Sequence, residues 1–181
     1  MIQFITSNGH KYEEISWAMS KEGIEIAWNR THYEEIQADN TEEISMDSAK
    51  KMARNLSEPF FLEDTGLYIE QLNGFPGPYS SYVFKTIGNS GILRLMNENN
   101  RDAKFITIIT YHENGKFYQF AGTLEGSIVL EPRGENTFGY DPVFLPAGGY
   151  KTLGEMNVEE KNSISHRSKA VRLFIDYLQK K

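Results

Sequence analysis

The sequence predicts an α/β or α+β domain built on a mixed β-sheet, and three observations support that prediction. In the first half of the chain, short apolar runs typical of strands alternate with segments of helical periodicity. In the second half, runs rich in β-branched and aromatic residues follow one another across short turns. The chain has 181 residues, of which 39% are hydrophobic, and this is enough to bury the core of one domain spanning residues 1–181.

The first 80 residues are expected to hold four extended segments and two helices. Extended segments are predicted at 2–6, 24–28, 59–66 and 68–72, and the third of them ends in two acids. One helix is predicted over 9–22, and a second begins near Asn40, which forms the spacing of a capping box with Glu43. Residues 74–80 read GFPGPYS, and their prolines and glycines predict a loop.

The rest of the chain is expected to hold a sheet-forming region between two helices. A short helix is predicted over 91–97, and a long one over 165–179 from its apolar stripe. Between them, 104–112 is predicted to be a strand and 113–115 a hairpin turn, with 116–122 and 123–130 continuing an antiparallel meander.

Composition and charge exclude several classes of protein. The chain has no cysteine, which rules out thiol catalysis, iron–sulfur clusters and cysteine-ligated zinc. Its formal net charge of −6 argues against a sequence-independent nucleic-acid binder. We find no apolar run near the roughly 18 residues of a membrane helix, and the polar opening MIQFITSNGHK does not resemble a signal peptide. We therefore expect a soluble, cytoplasmic protein without nucleic-acid or membrane partners.

The stretch TSNGHK at 6–11 lies where the first predicted strand passes into the first predicted helix. A helix N-terminus presents free backbone N–H groups and the positive end of a dipole, which favours phosphate. Lys11 falls in the first helical turn, where it can reach the same anion. The alternative is a plain Asn-Gly turn with a solvated lysine.

Acidic residues cluster at two places that are typical of metal or water binding. Glu63 and Asp64 follow an apolar strand, where burial requires a cation or hydrogen-bond donors. Carboxylate oxygens are ligands that magnesium prefers, and an acid at this place can also orient a water. Glu34 and Glu35 precede the second helix, and they join this site only if the fold brings them near Asp64. The alternatives are turn-capping acids and a solvated charge run.

The stretch FGYDP at 138–142 combines two aromatic residues with an acid and a proline. Phe138 or Tyr140 could stack on a planar base, which is the sequence-tolerant part of nucleotide binding. Asp141 could accept a donor from the base or fix the turn. A packed aromatic corner is the alternative.

The stretch SHR at 165–167 begins the last predicted helix. Ser165 could simply be the N-cap of that helix. His166 and Arg167 could instead hydrogen-bond a base edge, and Lys161 lies four residues before Ser165 as a further base or phosphate contact.

Six motifs in order along the chain resemble one known family. They are TSN-x-x-K, EDTGL, GFPGPYS, FGYDPVF, KT-x-x-EM and EK-x-x-x-SHR, and they extend over nearly the whole chain. This pattern resembles the inosine triphosphate pyrophosphatase family, the Ham1-like group. The resemblance implies Mg²⁺-dependent hydrolysis of ITP, dITP and XTP to the monophosphate and pyrophosphate, usually by a homodimer. It also implies a long curved mixed sheet flanked by helices, in two lobes with a central cleft.

The resemblance also implies a role for individual residues. At the phosphate end, Thr6, Asn8 and Lys11 match a phosphate-binding motif. Glu35 and Glu63 match metal-binding acids, and Asp64 matches the acid that binds metal or activates water.

At the base end, Phe138 matches a stacking aromatic and Asp141 matches an acid of the same loop. Tyr140 stands where several relatives have tryptophan or another aromatic. The cluster that reads the 6-oxygen of the purine is matched by Lys161, Ser165, His166 and Arg167.

Two positions depart from the pattern of many relatives. Ser48 and Ser81 stand where those relatives carry basic residues that contact phosphate. Lys50 or Lys51 could replace the first basic residue, and Lys85 the second if its segment is helical. Two further interpretations stay open: a Maf-like pyrophosphatase of other specificity, and a catalytically weak nucleotide-binding protein.

Overall fold

The computed structural model describes residues 1–56, 59–97, 99–135 and 138–181. These residues form six α-helices: α1 Gly9–Lys21, α2 Thr41–Ala53, α3 Ser80–Thr86, α4 Gly88–Leu95, α5 Val158–Ile164 and α6 His166–Gln179. They also form seven strands: β1 Ile2–Ile5, β2 Ile26–Asn29, β3 Phe60–Ile69, β4 Pro76–Gly77, β5 Asp102–Glu113, β6 Lys116–Ile128 and β7 Phe144–Pro146.

The strands belong to one sheet of mixed direction, so the predicted mixed α/β fold is confirmed. The order is β2-β1-β3-β5-β6-β7, with β4 paired to β3. Strand β1 runs parallel to β2 and β3, whereas β3 with β4 and β6 with β7 are antiparallel pairs. The parallel pairs require helical crossovers, which α1 and α2 supply in the first half of the chain.

Elements with a strong local pattern lie close to where the sequence predicts them. Helix α1 ends before Gly23, which has a φ of 72° and so adopts the left-handed conformation that glycine favours. The hairpin turn between β5 and β6 is confirmed: Asn114 and Gly115 both have positive φ, as the two-residue turns of hairpins require. Strand β2 begins at Ile26, two residues later than predicted.

Two predicted strand ends are wrong. Strand β3 does not stop at Glu63 and Asp64 but continues to Ile69, and the predicted segment 68–72 is the end of β3 followed by a 3-10 turn. The acids are tolerated inside this strand because Glu63 pairs with Lys11 and Arg167, and the Tyr33 hydroxyl lies within 3.5 Å of the Asp64 carboxylate. Likewise, 116–122 and 123–130 are not two strands, because β6 runs through Gly122 with extended backbone to Ile128.

Four short helices and strands were not predicted, among them strand β7 with three residues. Helices α3 and α5 have seven residues each, too few to show helical periodicity, and β4 consists of two residues within the GFPGPYS segment. Helix α5 nevertheless has a readable start, since Asn157 and Glu160 form a reciprocal capping box. The fourth helix begins at Gly88 rather than at residue 91.

The described residues divide into two compact units. The first contains 1–64, 107–122 and 167–181. In this unit, Phe61 packs in one cluster with Phe4, Ile15 and Phe174, while its neighbours Phe60 and Leu62 pack in another with Ile5 and Ala49. Because alternate residues of a strand point to opposite faces, β3 carries core residues on both sides here.

The second unit contains 65–106 and 123–166. Its core is one cluster that includes Leu67, Ile92, Phe105, Val143 and Phe144. The aromatic rings of Phe105 and Phe144 lie 4.7 Å apart between centroids. Across both units, none of the described helices has the length and apolarity that crossing a membrane would demand.

Candidate active site

The first site element is the connection between β1 and α1. The Asn8 side chain caps α1 by accepting from the backbone N–H of Lys11 at 3.2 Å, and the Thr6 hydroxyl accepts from the N–H of Asn8 at 3.1 Å. The structure thus brings Thr6, Asn8 and Lys11 together at a helix N-terminus. The positive end of the helix dipole and the Lys11 ammonium both favour an anion at this place.

Trp28 of β2 supports the same connection and was missed by the sequence reasoning. Its indole N–H donates to the carbonyl of Thr6 at 2.9 Å, and its ring stacks on Tyr12 with 4.3 Å between centroids. The only available signal was an aromatic residue near the end of a short strand, which is typical of many core positions.

Glu63 is a buried carboxylate held between two cations. The residue is 1% exposed, and Lys11 Nζ lies 2.6 Å from its Oε2. Arg167 donates through Nε to Oε1 at 3.1 Å, and Thr107 donates to the same oxygen at 3.4 Å. Lys11 Nζ also donates to the Glu63 carbonyl at 2.9 Å. The charge of Glu63 is therefore compensated on both of its oxygens.

Arg167 reaches this cluster from the first turn of α6. Its Nη1 donates to Glu14, which lies on α1 three residues after Lys11. Burial by itself lowers the pKa of the Arg167 guanidinium, but the Glu63 and Glu14 carboxylates raise it by more. Arg167 is therefore a permanent cation between two acids. The sequence contained one signal for Glu14: it lies three residues after Lys11 on the predicted helix, and residues at this spacing share a helix face.

Asp64 has fewer partners than Glu63, and its pKa is raised. The Tyr33 hydroxyl lies 3.5 Å from Oδ1 of the Asp64 carboxyl group. Burial raises the pKa of Asp64 to about 6; Lys11 opposes this rise, and the charges of Glu35 and Glu63 add to it. Among the described residues, Oδ2 of Asp64 is buried without a hydrogen-bond partner. Asp64 thus has one oxygen that is available to a ligand.

Tyr33 and Glu35 lie in the irregular segment between β2 and α2. Burial raises the pKa of the Tyr33 phenol, and the charges of Asp64 and Glu35 raise it further. Glu35 is exposed, yet it is near enough to act on both neighbours. The charge of Glu35 therefore acts on both Tyr33 and Asp64, and its place in a metal site stays a prediction.

The donor set fits a magnesium ion that uses few protein ligands. Within residues 1–56, 59–97, 99–135 and 138–181, no group of three or more His, Cys, Asp or Glu side chains is arranged around a single metal position. Magnesium, however, retains several waters and commonly takes one or two carboxylates together with substrate phosphates. Oδ2 of Asp64, which has no partner in the described part of the chain, meets that smaller requirement with Glu35 near it.

The second unit holds the residues predicted to bind a base. Lys161 of α5 and Asp141 form a buried ion pair with Nζ 2.7 Å from Oδ2. The same ammonium lies 5.3 Å from the ring centre of Phe138, which is half-buried. Phe138, Asp141 and Lys161 are thus brought together in the second unit.

Tyr140 instead occupies the core of the second unit. Its hydroxyl donates to the Ser80 carbonyl at 2.8 Å, and its ring meets Phe84 edge-on with 5.3 Å between centroids. Burial raises the pKa of the Tyr140 phenol. These contacts tie the FGYDP turn to α3, and they favour Phe138 over Tyr140 as the stacking residue.

The three residues of SHR lie at the junction of α5 and α6. Ser165 ends α5, and its N–H donates to the Lys161 carbonyl at 2.9 Å. His166 is buried and stacks on Phe105 with 4.5 Å between centroids. Ser165 and His166 belong to the second unit, whereas Arg167 belongs to the first.

The two departures from the family pattern have different surroundings. Ser48 is 0% exposed, and its hydroxyl has no hydrogen-bond partner among the described residues. Lys51 forms a surface ion pair with Asp47 at 2.8 Å. Ser81 and Lys85 are exposed on α3, so the condition that the segment of Lys85 be helical is met.

Two solved structures of known proteins are similar to this chain in fold. Over 100% of both chains, the structure superposes on a HAM1 protein from Coxiella burnetii with a TM-score of 0.88 and 28% identity. A Ham1 protein of Staphylococcus aureus gives a TM-score of 0.83 and 26% identity, covering 99% of this chain and 98% of that one. The fold is thus that of Ham1 proteins.

The sequence comparisons define the family. The sequence model of the Ham1 family matches residues 2–177, and the chain belongs to this family. A dITP/XTP pyrophosphatase of Methanopyrus kandleri is 48% identical over 178 residues, which is 97% of this chain and 95% of that protein. A dITP/XTP pyrophosphatase of Thermococcus kodakarensis is 46% identical over 179 residues, or 98% and 97% of the two chains.

Proposed function

We propose that the chain is a nucleoside triphosphate pyrophosphatase that hydrolyses non-standard purine nucleotides such as ITP, dITP and XTP to the monophosphate and pyrophosphate. The observation that carries this proposal is Asp64, a buried carboxylate whose pKa Lys11 of α1 lowers, with one oxygen that no described residue contacts by a hydrogen bond. The names of the similar dITP/XTP pyrophosphatases support the choice of substrate.

The α1 N-terminus and Lys11 are proposed to bind the phosphates. A triphosphate carries several negative charges, and the backbone N–H groups and the Lys11 ammonium offset part of them. Since Lys11 is also paired with Glu63, it is held in place before the substrate arrives. Such positioning and charge stabilisation provide most of the catalysis in phosphoryl transfer.

Asp64 and Glu35 are the residues proposed to hold Mg²⁺, with Glu63 next to them. When bound, the metal would neutralise phosphate charge and polarise the phosphoryl group. Lys11 lowers the pKa of Asp64 and thus favours the ionised carboxylate against the effect of burial. With a pKa of about 6, Asp64 is mostly ionised at neutral pH, although it is buried.

Asp64 is also the group proposed to activate the attacking water. Its carboxylate can accept a proton as the water oxygen forms a bond to the α-phosphorus. The bond between that phosphorus and the bridging oxygen to the β-phosphoryl group then breaks, and pyrophosphate leaves with the bond electrons. A base whose pKa lies near neutrality balances proton affinity with the need to be ionised.

Base selection is proposed for the second unit. Phe138 stacks on the purine, and Ser165, His166 and Lys161 supply groups near it. A 6-oxo purine presents an acceptor where adenine presents an amino donor, so ATP would leave protein donors unpaired. Arg167 is also proposed to contact the base, in addition to forming its ion pairs with Glu63 and Glu14.

A substrate panel tests the proposal directly. Purified protein with Mg²⁺ is assayed for pyrophosphate release from ITP, dITP, XTP, ATP and GTP, with Asp64→Asn as the matched inactive variant. We expect the first three substrates to be hydrolysed at least roughly tenfold more efficiently than the last two. Equal kcat/KM for all five, or undiminished turnover by Asp64→Asn, would contradict the proposal.

A weak nucleotide-binding protein is the second candidate, and Ser48 favours it. Its buried hydroxyl, which has no partner among the described residues, supplies no charge where many relatives have a basic residue. This candidate predicts nucleotide binding by calorimetry without pyrophosphate release. A Maf-like pyrophosphatase has no such support, because the Ham1 match covers residues 2–177.

Assembly and location are also proposed from the family resemblance. We expect a homodimer, which sedimentation at micromolar concentration would reveal as twice the 20.8 kDa mass of the chain. A cytoplasmic location is expected as well, and fractionation of cells that express the protein would test it.

A further inference from the structure

Trp28 of β2 contacts the connection between β1 and α1 on both sides of its turn. Its indole N–H donates to the Thr6 carbonyl, before the turn, at 2.9 Å. Its ring stacks on Tyr12 of α1, with 4.3 Å between centroids and 8° between the ring planes. Gly9 lies between these two contacts, and a Cβ added there would stand 3.7 Å from Cη2 of the same indole. One side chain thus holds both the entrance of the turn and the start of the helix that follows it.

The hydrogen bond from Trp28 fixes the direction of the next backbone N–H. In a planar trans peptide, the carbonyl of one residue and the N–H of the next point in opposite directions. Since the Thr6 carbonyl points at the indole, the N–H of Ser7 points away from it. Ser7 is exposed, and no described residue accepts from its N–H. This N–H is therefore a donor that is held in one direction and is available to an anion.

We propose that Trp28 is a positioning residue that sets the affinity for phosphate by orienting the Ser7 N–H through the Thr6 carbonyl. This inference rests on the proposed function, in which this connection binds the phosphates. Two neighbouring donors are already used within the turn, because the Asn8 N–H donates to the Thr6 hydroxyl and the Lys11 N–H to the Asn8 side chain. Without the indole donor, the peptide between Thr6 and Ser7 can rotate, and a charge-assisted hydrogen bond to the phosphate is lost.

Two other roles of Trp28 would have different consequences. A purely structural side chain would only pack β2 against α1, so its replacement would change stability and leave anion binding unaltered. The second role concerns Arg30, whose guanidinium carbon lies 3.9 Å from the centre of the Trp28 ring. If Trp28 served to hold this exposed cation near the phosphates, removal of the Arg30 charge would weaken binding as much as removal of the indole N–H.

The same substitution at the two tryptophans of the chain tests the inference. Trp28→Phe removes the indole N–H and keeps a ring that can stack on Tyr12. The matched control is Trp17→Phe, because Trp17 is the other tryptophan and is 38% exposed on α1. Isothermal titration calorimetry with inorganic pyrophosphate and Mg²⁺ measures binding without turnover. We expect Kd to rise about tenfold for Trp28→Phe and to stay within about twofold for Trp17→Phe. An unchanged Kd for Trp28→Phe, equal rises in both variants, or no binding by the wild type would overturn the inference.

An analogue of tryptophan separates the N–H from the shape of the ring. In the Trp17→Phe variant, Trp28 is the single tryptophan, so growth on benzothienylalanine replaces that residue alone by an analogue with sulfur in place of the N–H. We expect the same rise of about tenfold in Kd for pyrophosphate. An unchanged Kd would overturn the inference even if Trp28→Phe binds more weakly, since the shape of the ring would then explain that loss.

Arg30→Gln tests the route through the neighbouring cation. We expect this variant to bind pyrophosphate with a Kd within about twofold of the wild type, and Trp28→Phe to cause its full loss in that background. A Kd raised about tenfold by Arg30→Gln, with no further rise on addition of Trp28→Phe, would overturn the inference.

Kinetics with ITP separate this inference from the proposed function. Because the Ser7 N–H is expected to bind the phosphates equally in the substrate and the transition state, Trp28→Phe should raise KM about tenfold and keep kcat within about twofold. A fall in kcat at unchanged KM would overturn the inference. If no substrate were hydrolysed, the proposed function would fail, while the pyrophosphate titrations would still decide the role of Trp28.

Discussion

Glu63 and Asp64 are adjacent acids of β3, and removing the charge of each should change the free energy of unfolding in opposite directions. Asp64→Asn replaces a buried carboxylate with one oxygen that has no hydrogen-bond partner among the described residues. Glu63→Gln replaces a buried carboxylate that is paired with two cations. Both substitutions preserve shape. We expect Asp64→Asn to stabilise the metal-free protein at neutral pH and Glu63→Gln to destabilise it.

The size of the stability change expected for Asp64→Asn follows from the pKa of Asp64. The pKa rises from 3.8 to about 6 on folding, chiefly through burial. The folded state thus holds this proton more tightly than the unfolded state does. Below about pH 4 both states are protonated; as the pH rises from about 4 to about 6, the folded state loses stability. At about 1.4 kcal/mol per pKa unit, the loss is about 3 kcal/mol, and the neutral amide introduced by Asp64→Asn would not suffer it.

The size of the stability change expected for Glu63→Gln follows from the two cations that pair with Glu63. Glutamine would leave Arg167 and Lys11 buried or half-buried without their shared anion. Removing one partner from a buried ion pair costs about 3–5 kcal/mol. The expected signs therefore differ, although the two residues are neighbours in sequence.

Urea unfolding of the wild type and both variants checks these values. Measurements are made from about pH 5 to pH 8 in a chelator and are followed by circular dichroism. The stability advantage of Asp64→Asn should grow by about 1.4 kcal/mol between pH 5 and pH 8, because linkage is about half complete at pH 5. Added Mg²⁺ should then stabilise the wild type more than Asp64→Asn. A difference between these two proteins that does not vary with pH would refute the reasoning.

Three further predictions concern other buried groups. Lys161→Met or Asp141→Asn alone should cost about 3–5 kcal/mol in urea unfolding, and the double variant should cost less than their sum, since the pair is buried. On α2, Ser45→Ala should lower the unfolding free energy by about 1–2 kcal/mol, whereas Ser48→Ala should leave it unchanged or raise it, because the Ser48 hydroxyl has no partner among the described residues. Arg167→Ala should reduce the ratio of kcat/KM for ITP to that for ATP, with Arg167→Lys as the control that keeps a positive charge; an unchanged ratio would remove Arg167 from base selection.

Local patterns explain which parts of the fold the sequence could predict. The periodicity of α1 and α6, the apolar run of β5 and the Asn-Gly turn after it are each contained within a few residues. Such patterns need no knowledge of distant partners. The seven-residue helices α3 and α5 do need it, because helices of this length are stabilised by tertiary packing rather than by periodicity.

The course of β3 shows why the site itself was harder to predict than the fold. Two acids after an apolar run indicate the end of a strand if they are solvated. They lie inside β3 because Lys11, 52 residues before Glu63, and Arg167, 104 residues after it, supply the compensating charge. No window of sequence contains both partners. The family resemblance placed Lys11 and Glu63 at the phosphate end and Arg167 at the base end, so it did not reveal that Arg167 pairs with Glu63.

The SHR triplet makes the same point for a single turn of helix. Successive residues of a helix point about 100° apart, so neighbours in sequence can serve different partners. His166 stacks on Phe105, while Arg167 donates to Glu63 and Glu14. Grouping the three residues as one base-reading cluster therefore treats unlike positions alike. His166 lies in the same unit as Phe138 and stacks on a neutral ring, so base reading is better supported for His166. Arg167 first has to keep the buried charge of Glu63 compensated, and any contact with a base comes in addition.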